Sequence, residues 1–595
     1  MSTAILTGPP VAMSPIEGYL RNLGFEVVTV EDASSLAARL DAVPVAERVA
    51  VVDPRFVGHL HALRLGLIDP RFDASAVAGA VSVRPAARPA LVQALAQTGE
   101  AGEGDTLADR LAARMEAGGV PVHRPDLGVL VATVPADAAD RASAGAAVAA
   151  VDDEAVRLRS AVKSRDGFFT TFFISPYSRY IARWCARRGL TPNQVTTASL
   201  LVALVAAGCA ATGTRLGFVA AGVLLLASFV LDCTDGQLAR YSLRYSTLGA
   251  WLDATFDRAK EYAYYAGLAL GAARGGDDVW ALALGAIVLQ TCRHVVDFAF
   301  AETTGDAATG AGAAALSRKL DSVGWTVWLR RVIVLPIGER WALIAVLTAV
   351  TTPRVTFTVL LVASGLAACY TAAGRVLRSV RGATPAGDGE AHVLADLADT
   401  GPLGEGLARL FRGRGVPVAA VVAAVVGAAV MITTSILAPA GSWWPLAAAC
   451  CYAVTSALAV ARPLKGALDW LVPPVFRAAE YVTILVLAAV SGENGALPAA
   501  FGLVAAVAYH HYDTVYRIRG GTGAPPRALV CATGGHEGRV LLVTAAAAAL
   551  AHNTGFTVAL TVLAVALAVV VLTESIGFWV SSQAPAAHDE TGGPA

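Results

Sequence analysis

The chain has 595 residues, of which 55% are hydrophobic and only 15% charged, with a mean hydropathy of +0.57. That composition excludes an ordinary soluble protein and points to an integral membrane protein. Lys plus Arg and Asp plus Glu balance at 46 each, so net charge names no acidic or basic partner and no nucleic acid is expected. The eight cysteines lie mostly in apolar stretches without a CxxC, and read as small hydrophobes rather than disulfides or a zinc site.

The first residues, MSTAILTGPPVAMSP, hold no basic region followed by a long apolar run, so no signal peptide is expected and the residues before the first span should be cytoplasmic. Over 1–150, short β-rich runs such as EVVTV and RVAVVDP alternate with helical stretches such as SSLAARLDAV, an α/β pattern with a parallel sheet. LTGPPVAMSP has the placing of a phosphate loop, but it lacks GxxxxGK[ST] and GxGxxG, and its paired prolines, Pro9 and Pro10, remove two amide donors; an ordinary strand-to-helix turn is the stronger reading.

From Ser175, SPYSRYIARWCARRG puts Tyr177, Ile181 and Trp184 on one helical face and Arg179, Arg183 and Arg187 on another. This is an amphipathic basic helix suited to the cytoplasmic membrane interface. Apolar segments long enough to span follow near 191–213, 216–238, 248–272, 279–300, 340–352 and 354–376, the fifth being short. A Gly/Pro/acidic linker covers 377–402. A second set lies near 416–439, 443–462, 469–491, 496–516, 538–551 and 555–580, before a tail at 582–595 that is expected to be disordered.

The two sets resemble each other in more than hydropathy. IARWCARRGL (181–190) matches LARLFRGRGV (407–416), FDRAKEY (256–262) matches VFRAAEY (475–481), His294-x-x-Asp297 pairs with His510-x-x-Asp513, and GERWALI (338–344) resembles EGRVLLV (537–543). Four matches in one order predict a second copy of a six-helix unit over 403–581, and an even helix count makes the repeat parallel. The fold class expected is therefore a polytopic α-helical membrane protein of two parallel six-helix repeats, about twelve transmembrane helices in all, preceded by a soluble α/β domain. The second copy lacks the acids of the first: Asp253 aligns with Val472 and Asp257 with Phe476.

Those acids stand in LDCTDGQLARYSLRYSTLGAWLDATFDRAKEY (231–262). Asp232 and Asp235 share one helical face and Asp253 and Asp257 share another, so antiparallel neighbours would point four carboxylates at one another. Such a group must protonate, pair with cations or bind metal, and all-oxygen ligands suit Mg²⁺ or Mn²⁺. Two such ions can clamp a phosphoryl transfer. Gly236 and Gly249 allow close approach, and Arg240 supplies a cation for a phosphate. The spacing alone leaves open a transporter's ion relay, or a structural cluster salt-bridged to Arg240, Arg258 and Lys260.

At every fixed position, Asp232-x2-Asp235-Gly236-x2-Ala239-Arg240-x8-Gly249-x3-Asp253-x3-Asp257 resembles the signature of the CDP-alcohol phosphotransferase family of membrane enzymes. The helix ending in GLTPNQVT resembles that family too, and the resemblance covers about 160–376. It implies transfer of a phosphatidyl or phosphoalcohol group from a CDP-alcohol, commonly CDP-diacylglycerol, to an acceptor hydroxyl, with release of CMP, in phospholipid biosynthesis. It also implies that Asp232, Asp235, Asp253 and Asp257 hold two divalent ions with Asp257 as general base, and that Asn193, Gln194, Val195, Thr196, Gly236, Arg240 and Ser246 contact the CDP moiety. Arg293, His294 and Asp297 on the fourth span are a candidate acceptor pocket. Relatives that take inositol phosphate resemble one another in extra Lys/Arg near there, and the apolar FAFAE that follows speaks against a phosphorylated acceptor. Some relatives carry a fused cytidylyltransferase; residues 1–150 resemble that layout without its glycine-rich loop, which suggests a degenerate nucleotidyltransferase-like domain with a regulatory or scaffolding role. Members of the family are often homodimers, so the second copy is expected to stand in for a partner subunit as an internal pseudo-dimer. A transporter and a non-catalytic membrane scaffold are the competing classes.

Overall fold

In the computed structural model the described residues are 2–9, 11–12, 14–31, 33–97, 106–163, 166–304, 334–382, 386–412, 419–551 and 554–581; the expected disordered tail lies outside them. The chain divides into two compact units, one of residues 1–164, 177–192 and 234–246, the other of 165–176, 193–233 and 247–595.

In the first unit, β1 (Ser2–Thr7) and β3 (Arg48–Val52) bury nearly every side chain, as strands covered on both faces must. Successive residues of a strand point to opposite faces. Ile5, Val49 and Val51 therefore enter one core with Leu36, Leu91 and Leu111, while Ala4, Leu6, Ala50 and Val52 enter another with Ile16, Leu20 and Leu63. With β2 (Phe25–Val30), β4 (Val57–Gly58), β5 (Ala74–Val77), β6 (Ala80–Val83) and β7 (Ala132–Thr133), the strands form a five-stranded sheet of order β2-β1-β3-β6-β5 and a two-stranded β4-β7 pair. The helices are α1 (Ile16–Asn22), α2 (Ala33–Ala42), α3 (Leu60–Leu67), α4 (Arg88–Ala96), α5 (Leu107–Ala117), α6 (Ala138–Ala149) and α7 (Asp153–Ser160).

The sheet is mixed, not parallel as expected: β1 pairs parallel with β2 and β3, but β6 runs antiparallel to both β3 and β5. The cause is a hairpin closed by Ala78 and Gly79, the glycine at φ +71, a geometry it adopts without steric cost. The Asp109 carboxylate accepts from the Gly79 amide at 3.0 Å and fastens the turn to α5. Most of α8 (Ser175–Arg187) and the carboxyl end of α10 (Arg215–Ser242) belong to this unit as well.

The second unit is helical: α9 (Pro192–Ala211), most of α10, α11 (Thr247–Arg274), α12 (Trp280–Thr304), α13 (Ile337–Val350) and α14 (Pro353–Arg381), then α15 (Asp388–Ala398), α16 (Pro402–Phe411), α17 (Ala420–Leu437), α18 (Trp444–Val460), α19 (Val472–Ser491), α20 (Ala496–Arg519), α21 (Arg527–Thr533), α22 (Gly535–Ala549) and α23 (Gly555–Ser581). Among the described residues, seven helices are long and apolar enough to cross a membrane: α9, α10, α12, α14, α17, α19 with its preceding turn, and α23. Others of similar length are too polar to qualify; α11 carries Asp253, Asp257, Arg258, Lys260 and Glu261. The stretch expected to be a linker is largely helical, because α14 runs to Arg381 and α15 starts where the Glu390 carboxylate accepts from the Gly387 amide at 2.9 Å.

Several buried charges of this unit are paired. Arg258 and Arg340 both reach Glu261, at 2.6 and 3.4 Å. Arg477 lies 2.9 Å from Glu480, which also accepts from Arg539. Helix α12 packs on α19 and α20, and α11 packs on α20 and α23. His294 stacks on Tyr512 at 4.2 Å and Trp251 on Trp579 at 6.0 Å.

His61, on α3 of the first unit, is 3% exposed and neither ring nitrogen has a hydrogen-bond partner. Burial, reinforced by Arg157, Arg64 and His59, lowers its pKa to about 4 from 6.5. A histidine held neutral in the fold stabilises fully above the unfolded pKa, and that contribution is lost as pH falls from about 6.5 towards 4. The fall in melting temperature between pH 7 and pH 5 should therefore be smaller in His61→Leu than in the natural chain, as read by thermal unfolding of the purified protein.

Candidate functional site

Asp232 and Asp235 sit one turn apart on α10. Asp253 and Asp257 occupy the early turns of α11. One carboxylate oxygen from each of Asp232, Asp235 and Asp253 lies within 4.8 Å of the others. Three like charges at such separations repel strongly where water is scarce, and a hard divalent cation is the natural neutraliser of an all-oxygen set. The residues present thus fit Mg²⁺ or Mn²⁺ by donor chemistry.

Asp257 joins the group through a cation. Lys260, 1% exposed in its side chain, donates to Asp232 and lies 3.1 Å from Asp257. Arg258, which follows Asp257 in sequence, turns instead to Glu261.

The remaining expected residues are distributed as follows. Gly236 lies beside Arg240: a Cβ added there would sit 3.5 Å from the guanidinium nitrogens, ordinary contact, so the glycine leaves room and is not sterically forced. Arg240 donates from Nε to the Ala161 carbonyl at 2.6 Å. Ser246 stands just ahead of α11. Asn193 to Thr196 form the opening of α9 after Pro192, with Val195 and Thr196 buried and Gln194 exposed. Ser199, one turn on, exchanges hydrogen bonds with Ser228 at 2.8 Å and fixes α9 against α10.

The candidate acceptor residues do not all share partners. Asp297 pairs with Arg375 of α14 and Arg293 donates to the Val334 carbonyl, whereas His294 is turned onto Tyr512 of α20. Local reading missed Arg375, because it arrives from a helix far along the chain. Lys260 was legible only as one of several cations; the pairing of Arg258 with Glu261 could have been read from the i, i+3 spacing, which recurs at Arg477 and Glu480.

Comparison with known proteins places this geometry. Residues 189–370 match the family model described as CDP-alcohol phosphatidyltransferase, and residues 388–595 match a family of unknown function, DUF5941. Neither covers the N-terminal domain. A bifunctional IPC transferase and DIPP synthase of Aquifex aeolicus is 32% identical over 114 residues, 19% of this chain and 26% of that protein. An archaetidylinositol phosphate synthase of Pyrococcus horikoshii is 31% identical over 113 residues, 19% of this chain and 58% of that protein. A phosphatidylinositol phosphate synthase of Streptomyces avermitilis is 35% identical over 131 residues, 21% of this chain and 51% of that protein. The chain spans between about a quarter and three-fifths of the length of these curated relatives. The acidic cluster lies inside the matched segment, and residues 189–370 are accordingly a CDP-alcohol phosphatidyltransferase domain, followed in this chain by a DUF5941 region.

Proposed function

We propose that the chain transfers a phosphatidyl or phosphoalcohol group from a CDP-alcohol, with CDP-diacylglycerol the first choice, to an acceptor hydroxyl and releases CMP. The observation that carries this reading is the convergence of Asp232, Asp235 and Asp253 within the matched domain. These residues, with Asp257, would hold two divalent ions, Mg²⁺ or Mn²⁺, whose charge offsets that of the diphosphate and of the departing CMP. Asp257 takes the proton of the acceptor hydroxyl, and Lys260 holds its carboxylate in place. Gly236, Arg240 and Ser246, with Asn193, Gln194, Val195 and Thr196, receive the CDP moiety. A transporter has no use for a conjunction of Asp235-Gly236 with Ala239-Arg240, and a pure scaffold none for crowded carboxylates.

An inositol phosphate comes first among acceptors to test, since two relatives are named for phosphatidylinositol phosphate and archaetidylinositol phosphate synthesis. Arg375 of α14, paired with Asp297, supports this by adding a cation that the local sequence around Arg293 lacks. The N-terminal domain is read as a degenerate nucleotidyltransferase-like module on the cytoplasmic side. Exposed Tyr177, Tyr180 and Trp184 on the arginine-rich α8 favour an interfacial helix there.

Residues 403–581 are read as a second, acid-free copy standing in for a partner subunit. The Arg258–Glu261–Arg340 triad has a counterpart in Arg477–Glu480–Arg539, and α11 and α12 pack against α20 and α19 in a reciprocal pattern. The twelve apolar segments expected from the sequence each contain a helix, consistent with six crossings per copy.

Three outcomes follow. Membranes containing the protein should release CMP from CDP-diacylglycerol in Mg²⁺ with inositol phosphate, inositol or glycerol phosphate as acceptor. Chelation should stop the reaction, and Asp257→Asn should slow it by about 10²-fold or more; no CMP with any acceptor would sink the enzyme reading. Second, Mg²⁺ at about 100 times its dissociation constant should stabilise the purified protein by about 2.7 kcal/mol, and Asp253→Asn should lose most of that gain in a thermal-shift measurement. Third, native mass measurement should find one chain per particle; cross-links joining α12 of one chain to α12 of another would count against the pseudo-dimer.

A further inference from the structure

Helix α7 ends against the segment that carries Arg240, and both belong to the first unit. The carbonyl just past its last turn, that of Ala161, accepts from Arg240 Nε at 2.6 Å. A helix carboxyl terminus leaves carbonyls without intrahelical partners and carries the negative end of the helix dipole, so a guanidinium complements it twice over. One turn earlier, the Arg157 guanidinium lies 3.6 Å above the Tyr241 ring, and its Nε donates to the Tyr241 carbonyl at 2.9 Å. The Tyr241 hydroxyl donates to Glu154 at 2.8 Å, and Glu154 stands 3.9 Å from Arg157 and 4.0 Å from Arg183 of α8. Farther along, Arg71 lies 4.3 Å over the Tyr245 ring.

The grip falls on residues 240, 241 and 245, the stretch flanking a strained turn. Leu243 has φ +51, a left-handed conformation that a branched side chain keeps only when its surroundings enforce it. The Arg244 amide donates to the Ala239 carbonyl at 3.0 Å and closes α10 in the manner of a Schellman cap, with leucine where glycine is usual.

We propose that α7 of the N-terminal domain is a positioning element for the nucleotide. Arg157 holds the ring and backbone of Tyr241, Ala161 holds the stem of Arg240, and together they aim the Arg240 guanidinium and the turn leading to Ser246. This rests on the reading of Arg240 and Ser246 as CDP contacts. Arg157 touches no substrate in this account; it acts through Tyr241 and Arg240.

The test uses the full chain in lipid nanodiscs with Mg²⁺. CDP binding is followed by calorimetry, and CMP release is followed as CDP-diacylglycerol is varied. Arg157→Ala should weaken CDP binding about tenfold and raise KM by a similar factor, with kcat within about twofold of the natural chain. Tyr241→Phe keeps the ring and loses only the bond to Glu154, so about threefold is expected, and the double variant should fall short of the product of the two. Unchanged CDP affinity and KM in Arg157→Ala overturns the proposal. Should that variant not fold, Arg157→Lys, which keeps the charge but not the planar stack, must show the same KM-weighted loss or the proposal falls. A natural chain that binds no CDP overturns instead the underlying assignment of Arg240 and Ser246.

Discussion

A charge surrounded by apolar helices must be answered by another charge, and the membrane unit is organised around that demand. It is met in two different ways. Glu261 lies between Arg258 and Arg340, and Glu480 between Arg477 and Arg539, so that in each triad unlike charges alternate. Asp232, Asp235 and Asp253 instead bring one carboxylate oxygen each within 4.8 Å of the others, with Lys260 donating to Asp232 at their edge. Alternation suits a structural strut, since removing any member strands the others at a cost of several kcal/mol. Crowding suits a ligand set, because it is relieved when a divalent cation arrives.

The same distinction accounts for what the proposed second copy keeps and what it lacks. The triad persists there, as expected of a strut on which neighbouring helices depend. At the positions aligned with Asp253 and Asp257 stand Val472 and Phe476, both fully buried. Phe476 stacks on His536 at 4.3 Å and meets Tyr452 edge-on, so the place of a carboxylate is filled by aromatic packing. Asp399, in the bend between α15 and α16, is met by Arg539 at 2.8 Å, His511 at 3.3 Å and His510 at 3.4 Å. This acid is held in an alternating network and so belongs to the first kind.

How much of this was legible in the sequence depended on the range of the interaction that decides it. Helix placement follows from hydropathy, a local quantity, and each apolar segment does carry a helix. The clustering of Asp232, Asp235 and Asp253 was legible because spacing within one helix is local too, whereas the place of Asp257 beside Lys260 was not singled out. The sheet was misjudged at β5 and β6, where an Ala-Gly turn gives a weaker hairpin signal than Asn-Gly and the α/β alternation around it suggested parallel strands. The linker was misjudged because its glycines and prolines flank short helices whose buried faces, including Leu394 and Leu397, find partners only in three dimensions. His294 and Asp297 looked alike on one helix; Tyr512 and Arg375, from distant helices, turn them different ways.

The division of the chain carries the argument to the N-terminal domain. The boundary falls inside the signature, so that Asp232, Asp253 and Asp257 count with the second unit while Asp235, Gly236, Arg240 and Ser246 count with the first. Transfer between bound groups depends on placement to within about an ångström. Under the proposal made for α7, the soluble domain needs no nucleotide site of its own to matter to the reaction: it acts by fixing Tyr241 and Arg240 on the carboxyl end of α10.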